Sequence, residues 1–324
     1  MSTGSACWTG TRARGRVPAA GRRLGIAGRC CSTSYCRRPQ GVAVQDKRRP
    51  TPYPSSVSVG QFYDQMGGFF ATLFGDNIHF GLFDGDDTQS MEQAQTRLTD
   101  RLLALLQLEE DDYLLDVGCG TGHPAIQLAE RTKATALGVS VSPSQVEAAT
   151  AKVREAGLSS RLAFDVADAM DLPYQAETFD AAWAVEMLFH VPDRLQVLRE
   201  VGRVLKPGGR LVLSDFVELQ PVTDEEWDLL AQGFAFSSLL HPDRYGEVVA
   251  QAGLEVVQVL DVTAHTRQNM RWIEQRYAAD KEHLAGVYGA EFAAQMDRLL
   301  PVGMSIYTEK LGYVIVEARR PTDG

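Results

Sequence analysis

Past residue 58 the sequence holds a single cysteine, Cys119; the other four, Cys7, Cys30, Cys31 and Cys36, all come earlier. One thiol cannot form an intramolecular disulfide, so residues 59–324 must be held by packing alone, which fits a reducing compartment. The early cysteines lack partners at finger-like spacing. His123, His241, His265 and His283 form no H-x-x-x-H or carboxylate cluster, so no metal is expected. No stretch approaches the roughly eighteen consecutive apolar residues of a membrane span, and residues 1–58 lack the apolar run of a secretory signal. A soluble cytoplasmic protein is expected, with organellar targeting by the leader left open.

Acid is also scarce at the start. Residues 1–58 carry ten Arg and one Lys against Asp46 alone, which leaves 21 basic and 41 acidic residues in the other 266. A leader of about +10 therefore precedes a body of about −20. The leader is rich in Arg, Gly, Ser and Pro without helical or strand period and is expected to be disordered. The acidic body argues against nucleic acid, which needs a basic face.

What the body does contain is alternation. Residues 59–83 are dense in aromatics and broken by Gly67, Gly68, Gly75 and Gly81, which predicts short helices forming a lid over residues 59–90. Most of these aromatics are expected to pack, leaving Tyr63, Asp64 and His79 as the polar residues that could face a ligand. An amphipathic helix is predicted over 91–108, with Leu98, Leu102, Leu105 and Leu106 at helical spacing. Strands are predicted at 113–115, 134–140, 161–166, 179–185, 210–216, 254–262 and 311–318. Helices are expected from 125, at 142–156, 224–240 and 242–252, and as an insertion at 268–300. This pattern predicts an α/β fold: a doubly wound, Rossmann-like, seven-stranded and mostly parallel sheet, with a helical lid and an insertion before the last strand. Ligands of such sheets bind beyond the carboxyl ends of the strands.

The first strand runs into a turn with glycine at 118, 120 and 122, and a helix follows. Such a turn aims backbone N–H groups and a helix start at one spot and serves a dinucleotide, a nucleoside or tight packing. A dinucleotide fingerprint reads G-x-G-x-x-G with an acid about twenty residues on. Here the third glycine comes one residue early and the second strand ends Gly138-Val139-Ser140 without an acid, two departures from a nicotinamide oxidoreductase.

Four ordered blocks, LLDVGCGTG, DAMDLPY, FDAAWAVEMLFHVPD and LKPGGRLVLSDF, resemble the class I S-adenosylmethionine-dependent methyltransferases. More narrowly, YDQM, GDNIHFG and GVSVSPSQV resemble the small-molecule branch of tocopherol methyltransferases and bacterial sugar and polyketide O-methyltransferases. The resemblance implies S-adenosylmethionine as cofactor and a small-molecule acceptor, methylated at oxygen first, with nitrogen or carbon as alternatives. A silent cofactor-binding partner is a further reading, and the oligomeric state is left open.

By the same resemblance, the cofactor would be held by Tyr63, Asp116, Gly118, Cys119, Gly120, Ser140, Val141, Gln145, Asp168, Ala169, Met170 and Glu186. Asp116 would order the turn and accept from the ammonium. Ser140 stands where the wider family has a carboxylate for the ribose, and Asp168 would read the adenine amine. Ser142 and Gln145 also fit helix capping alone. His190 and Asp215 match the base and its partner in sugar-methylating relatives, since neutral imidazole can take a hydroxyl proton. His79 and Phe236 are expected against the substrate, with the segments 219–248 and 265–308 as acceptor cap. There Trp227, Phe234, Trp272, Tyr277 and Tyr307 add aromatic surface, and Arg244 and Arg271 could meet an acidic acceptor or form surface ion pairs.

Overall fold

The computed structural model describes residues 59–85 and 88–322; the expected disordered leader lies outside them. Helix α1 (Val59–Phe74) is one continuous helix rather than several short ones. Gly67 and Gly68 each disfavour a helix interior by about 1 kcal/mol. The buried face of Phe62, Phe69, Phe70 and Leu73 outweighs them. The chain breaks only at Gly75, whose φ of +81° is left-handed.

Helix α2 (Met91–Leu106) starts at a capping box. The Ser90 hydroxyl accepts the Gln93 N–H at 3.2 Å, and the Gln93 side chain accepts the Ser90 N–H at 3.0 Å. The expected apolar stripe of Leu98, Leu102, Leu105 and Leu106 is buried.

Strand β1 (Tyr113–Val117), α3 (His123–Arg131), β2 (Thr135–Ser140), α4 (Pro143–Glu155), β3 (Leu162–Val166) and β4 (Phe179–Val185) follow as alternating units. Helix α5 (Arg194–Val204) is an element beyond those expected, capped by Asp193, whose carboxylate accepts the Gln196 N–H at 3.0 Å. Strand β5 (Leu205–Glu218) starts earlier than expected. Its ladder pairs Leu205 with Phe179 and then Arg210 with Ala181, so Lys206–Gly209 loops out of register between them.

Helix α6 (Asp224–Phe234) stops six residues short of the expected end. Ala235 turns left-handed at φ 56°, and the chain runs extended to His241. Then come α7 (Pro242–Gln251), β6 (Glu255–Asp261), the one-turn α8 (Thr263–Thr266), α9 (Gln268–Tyr288), α10 (Ala290–Lys310) and β7 (Leu311–Arg319). The insertion is thus two long helices joined at Gly289, whose φ is +93°.

The seven strands form one sheet in the order β3-β2-β1-β4-β5-β7-β6, with β7 antiparallel to both neighbours. Strand order reverses between β1 and β4, the place where such sheets open a crevice. Side chains alternate across the sheet. Leu114, Trp183, Val212, Phe216 and Tyr313 point into the core under α1, α2 and the insertion, whereas Leu115, Ala182, Leu211, Leu213 and Val314 point into a second core with α5 and α7. Among the described residues no helix is long and apolar enough to cross a membrane.

Between lid and insertion lies a side-chain clamp. The Asn269 carboxamide accepts the Gly81 N–H at 2.8 Å and donates to the Gly81 carbonyl at 2.9 Å. Gln95 donates to the carbonyls of Asn77 and His79 at 2.5 and 2.9 Å, so residues 77–81 are fixed from both sides.

Candidate active site

Two cavities meet at the carboxyl edge of the sheet. The larger, about 280 Å³, lies over the turn after β1. Gly118 has φ +79°, and a Cβ there would lie 2.4 Å from Met187 Cγ; Gly120 has φ +52° and faces nothing within 4 Å. A side chain is thus barred from the first position, and the second leaves bare backbone open to a ligand. Asp116, next to last in β1, is almost fully buried, with Oδ2 lacking a hydrogen-bond partner among the described residues, and burial pushes its carboxyl up to about 7. Burial also raises the Cys119 thiol, which suits a packing residue and not a nucleophile.

At the end of β2 the Ser140 hydroxyl donates to Gln145 Oε1 at 2.9 Å and accepts the Ser142 N–H at 3.1 Å. Ser142 caps α4 by accepting the Gln145 N–H at 3.2 Å. Ser142 and Ser144 also donate to the Asp64 carboxylate, so Asp64 ties α1 to α4 and is not among the cavity-lining residues. Asp168 folds its own loop by accepting the Met170 N–H at 2.9 Å. All twelve residues expected at the cofactor line this cavity.

The second cavity, about 110 Å³, lies under α1, α6 and the insertion. Its wall is aromatic, with Phe80 and Phe216 edge to face at 4.9 Å and Phe189 and Phe236 at 4.4 Å. Phe234, Phe236 and Tyr307 line it as expected. Trp227, Trp272 and Tyr277 do not, and neither do Arg244 and Arg271. Tyr277 instead donates to the Ala293 carbonyl at 3.0 Å, and Arg244 pairs with Glu247 at 3.6 Å on the surface.

Four residues line both cavities: Tyr63, Ile78, His79 and Glu186. Tyr63 OH lies 2.8 Å from His190 Nε2, while His190 Nδ1 lies 2.9 Å from the Ala235 carbonyl. A carbonyl only accepts, so Nδ1 carries the proton and Nε2 accepts from the tyrosine. Burial lowers His190 to about 4, which keeps it neutral at physiological pH. His79 shares this state: Nδ1 donates to the Phe80 carbonyl at 2.7 Å, Nε2 has no partner, and burial lowers it to about 4. Glu186, half-buried, accepts the Phe80 N–H and the Tyr313 hydroxyl, both at 2.7 Å. Loss of hydration pushes it up to about 8.

Asp215 is not brought to His190's side of the site. Along β5 it shares parity with Leu211, Leu213 and Val217, so its carboxylate enters the core opposite Phe216 and lines neither cavity. There it accepts from the Tyr245 hydroxyl and faces Arg194 at 3.3 Å. Sequence reading passed over Ile78 at the border, Asn77 and His123 in the larger cavity, and Phe189 and Phe216 in the smaller. Phe216 was readable from the alternation of β5; the rest depend on how 77–81 and 187–191 fold back. Among the described residues no group of three His, Cys, Asp or Glu is placed to hold a metal.

A seven-stranded sheet with β7 reversed and a glycine turn opening on a cavity defines the class I methyltransferase fold. Residues 115–213 match the family model described as "Methyltransferase domain". The chain is 37% identical over 274 residues to 27-O-demethylrifamycin SV methyltransferase of Amycolatopsis mediterranei (strain S699), covering 83% of this chain and 98% of that one. It is 32% identical to (+)-O-methylkolavelool synthase of Herpetosiphon aurantiacus, covering 84% and 96%. Among solved structures it superposes on the [4+2]-cyclase SpnF with a TM-score of 0.73 at 34% identity, covering 82% and 96%. The chain belongs to the class I S-adenosylmethionine-dependent methyltransferases, and it transfers the methyl group of that cofactor to a small molecule. The nicotinamide alternative is thereby set aside.

Proposed function

We propose that the protein methylates a hydroxyl group on an apolar specialised metabolite. The observation that carries this reading is the Tyr63–His190 hydrogen bond of 2.8 Å, made by a tyrosine that lines both cavities. The larger cavity fits the cofactor in chemistry as well as in fold. Backbone at Gly118 and Gly120 lies bare for the amino-acid portion, the unpartnered Asp116 Oδ2 accepts from its ammonium, Ser140 with Gln145 takes the ribose, and Asp168 to Met170 flank the adenine. The cofactor supplies a methyl group already activated by its sulfonium, so this chain contributes alignment and exclusion of water.

The smaller cavity takes the acceptor. Residues 59–90 act as lid, and 219–248 with 265–308 act as the cap that selects it. Aromatic walls suit an apolar body, and the neutral imidazole of His79 at the border suits an uncharged hydroxyl. Tyr63 receives the hydroxyl's hydrogen bond, and His190 Nε2 draws the proton through the tyrosine, as general base catalysis requires. The relatives whose names specify O-methylation, 27-O-demethylrifamycin SV methyltransferase and (+)-O-methylkolavelool synthase, support oxygen as the target.

The test uses the full chain with methyl-labelled S-adenosylmethionine and a panel of macrolactones and terpene alcohols, reading the atom that carries label. Label on oxygen is expected, and label confined to nitrogen or carbon overturns the reading. The likeness to a [4+2]-cyclase favours, beside methyl transfer, a second activity, closure of an unsaturated substrate in the same apolar cavity. It predicts a product of unchanged mass with no S-adenosylhomocysteine formed.

A further inference from the structure

Among the described residues no lysine and no arginine lines either cavity. Carboxyl groups do: Asp76, Asp116, Asp168 and Glu186 border the larger one, and Glu186 alone continues into the smaller. Glu186 is also held in an unfavourable backbone state, φ +49°, directly after β4. For a residue with a Cβ such strain persists where the surroundings impose it, and it collects at functional positions. Here the surroundings are the Phe80 N–H and the Tyr313 hydroxyl, with Tyr313 lying 3.0 Å from the Ser214 hydroxyl behind it.

Among the described residues no lysine or arginine lines the cavities around Glu186. Asp215 on β5, itself paired with Arg194, is a like charge that raises Glu186 further, Tyr313 on β7 and Tyr307 on α10 are phenols raised by burial, and burial keeps His79 at the border and His190 beside it neutral. A carboxyl so placed stays protonated until a ligand brings positive charge. For a methyl group to pass from one cavity to the other, the sulfonium that carries it must lie at their shared border, where Glu186 is.

We propose that Glu186 is the counter-charge of the sulfonium, ionising when S-adenosylmethionine binds and regaining a proton once the donor has become S-adenosylhomocysteine, whose sulfur carries no charge. The inference rests on methyl transfer between the two cavities and not on the identity of the acceptor. Its balance closes. Glu186 loses one proton to solvent as the cation enters; later an S–CH₃ bond breaks, an O–CH₃ bond forms and the acceptor's hydroxyl proton is freed. Glu186 then takes up one proton as the sulfur loses its charge. A fixed counter-charge stabilises the ground-state cation and so does not itself lower the barrier. Its work is to prefer donor over product and to loosen the product's hold.

The test is calorimetric titration of the full chain at pH 7 in phosphate and in Tris, whose ionisation heats differ. S-adenosylmethionine should release about one proton per site more than S-adenosylhomocysteine, because the protons displaced by their shared ammonium and carboxylate, at Asp116 above all, cancel in the comparison. The donor-to-product affinity ratio should rise by up to about tenfold per pH unit below 8. Glu186→Gln, which can accept the same two hydrogen bonds, should abolish that difference in proton release and narrow the donor-to-product preference by roughly tenfold. Equal proton counts for the two ligands in the unsubstituted protein overturn the proposal, as does an unchanged preference in the variant. The wild-type proton count decides by itself if the variant does not fold. Failure to find label on oxygen would sink the hydroxyl reading and leave these titrations unaffected.

Discussion

Tyr63 and His190 lie 127 residues apart in the chain and are joined by a 2.8 Å hydrogen bond. One comes from the lid helix and the other from the turn after β4, so the contact exists only when the lid lies on the sheet edge. His190's other nitrogen is held by the Ala235 carbonyl, so in the proposed function the tyrosine is the group that would meet the acceptor.

Replacing Tyr63 by Phe keeps the ring and removes only the hydroxyl. Turnover with a hydroxyl acceptor should fall by about 10²-fold, the usual worth of a positioned proton carrier. The Kd for S-adenosylmethionine should change by less than about fivefold, because a net hydrogen bond contributes only about 1 kcal/mol or less where the site stays packed. Steady-state kinetics beside a binding titration separate the two.

Asp215→Asn discriminates between the sequence expectation and the observed placement. Removing one partner of a buried ion pair leaves Arg194 uncompensated, and about 3 kcal/mol of stability should be lost. The kcat of the remaining folded enzyme should hold, and cofactor affinity should shift only slightly, because the charge of Asp215 is the smallest of the influences on Glu186. Urea unfolding with kinetics at low temperature reads both, and a large kcat loss without destabilisation would return Asp215 to the chemistry.

The cofactor-free protein should lose stability as pH rises from about 6 to about 8. Asp116 and Glu186 are raised on folding to about 7 and about 8, so the folded state holds protons that the unfolded chain has given up, and stability drains away as pH climbs through that window. His79 and His190 are lowered to about 4, so their contribution is complete above about 6.5 and is lost toward acid. The two trends offset each other between about pH 4.5 and 6. Melting temperatures across pH 4.5–8.5 check the shape, and Glu186→Gln should flatten much of the alkaline fall.

Gly303 offers a way to fill the smaller cavity. A Cβ there would lie 3.0 Å from Phe234 Cε2, so Gly303→Val should press that ring toward the acceptor space. Acceptor KM should rise by roughly tenfold, equivalent to about 1.4 kcal/mol, while cofactor Kd is unchanged. An equal loss of both would place the two ligands in one continuous pocket.

The glycine turn and its strand were legible because few residue types tolerate φ values such as +79° and +52° and because a doubly wound sheet directs ligands to that edge. The fourth strand was readable to its ends, since Phe179–Val185 is a plain apolar run. Ala235 was not: nothing about an alanine announces a left-handed helix end, and the carbonyl it aims at His190 is therefore hidden in sequence. Asp215 was misplaced because residue type was read without strand parity, which assigns Phe216 to the cavity side and its neighbour to the opposite core. Contacts such as Tyr63 to His190 depend on the closing of long loops, and local pattern carries no record of them.

The Asn269 clamp on Gly81 gives the cap and the lid a common fate. By matching both the N–H and the carbonyl of one residue, a side chain of the insertion does for residues 77–81 what a neighbouring strand would do. Exchange of the 265–308 segment between relatives therefore transplants more than a specificity loop: without Asn269 it would unmoor His79 and Phe80, and through Phe80 the grip on Glu186. On the proposed roles of the two cavities, acceptor choice and cofactor handling in this chain are coupled through that one side chain.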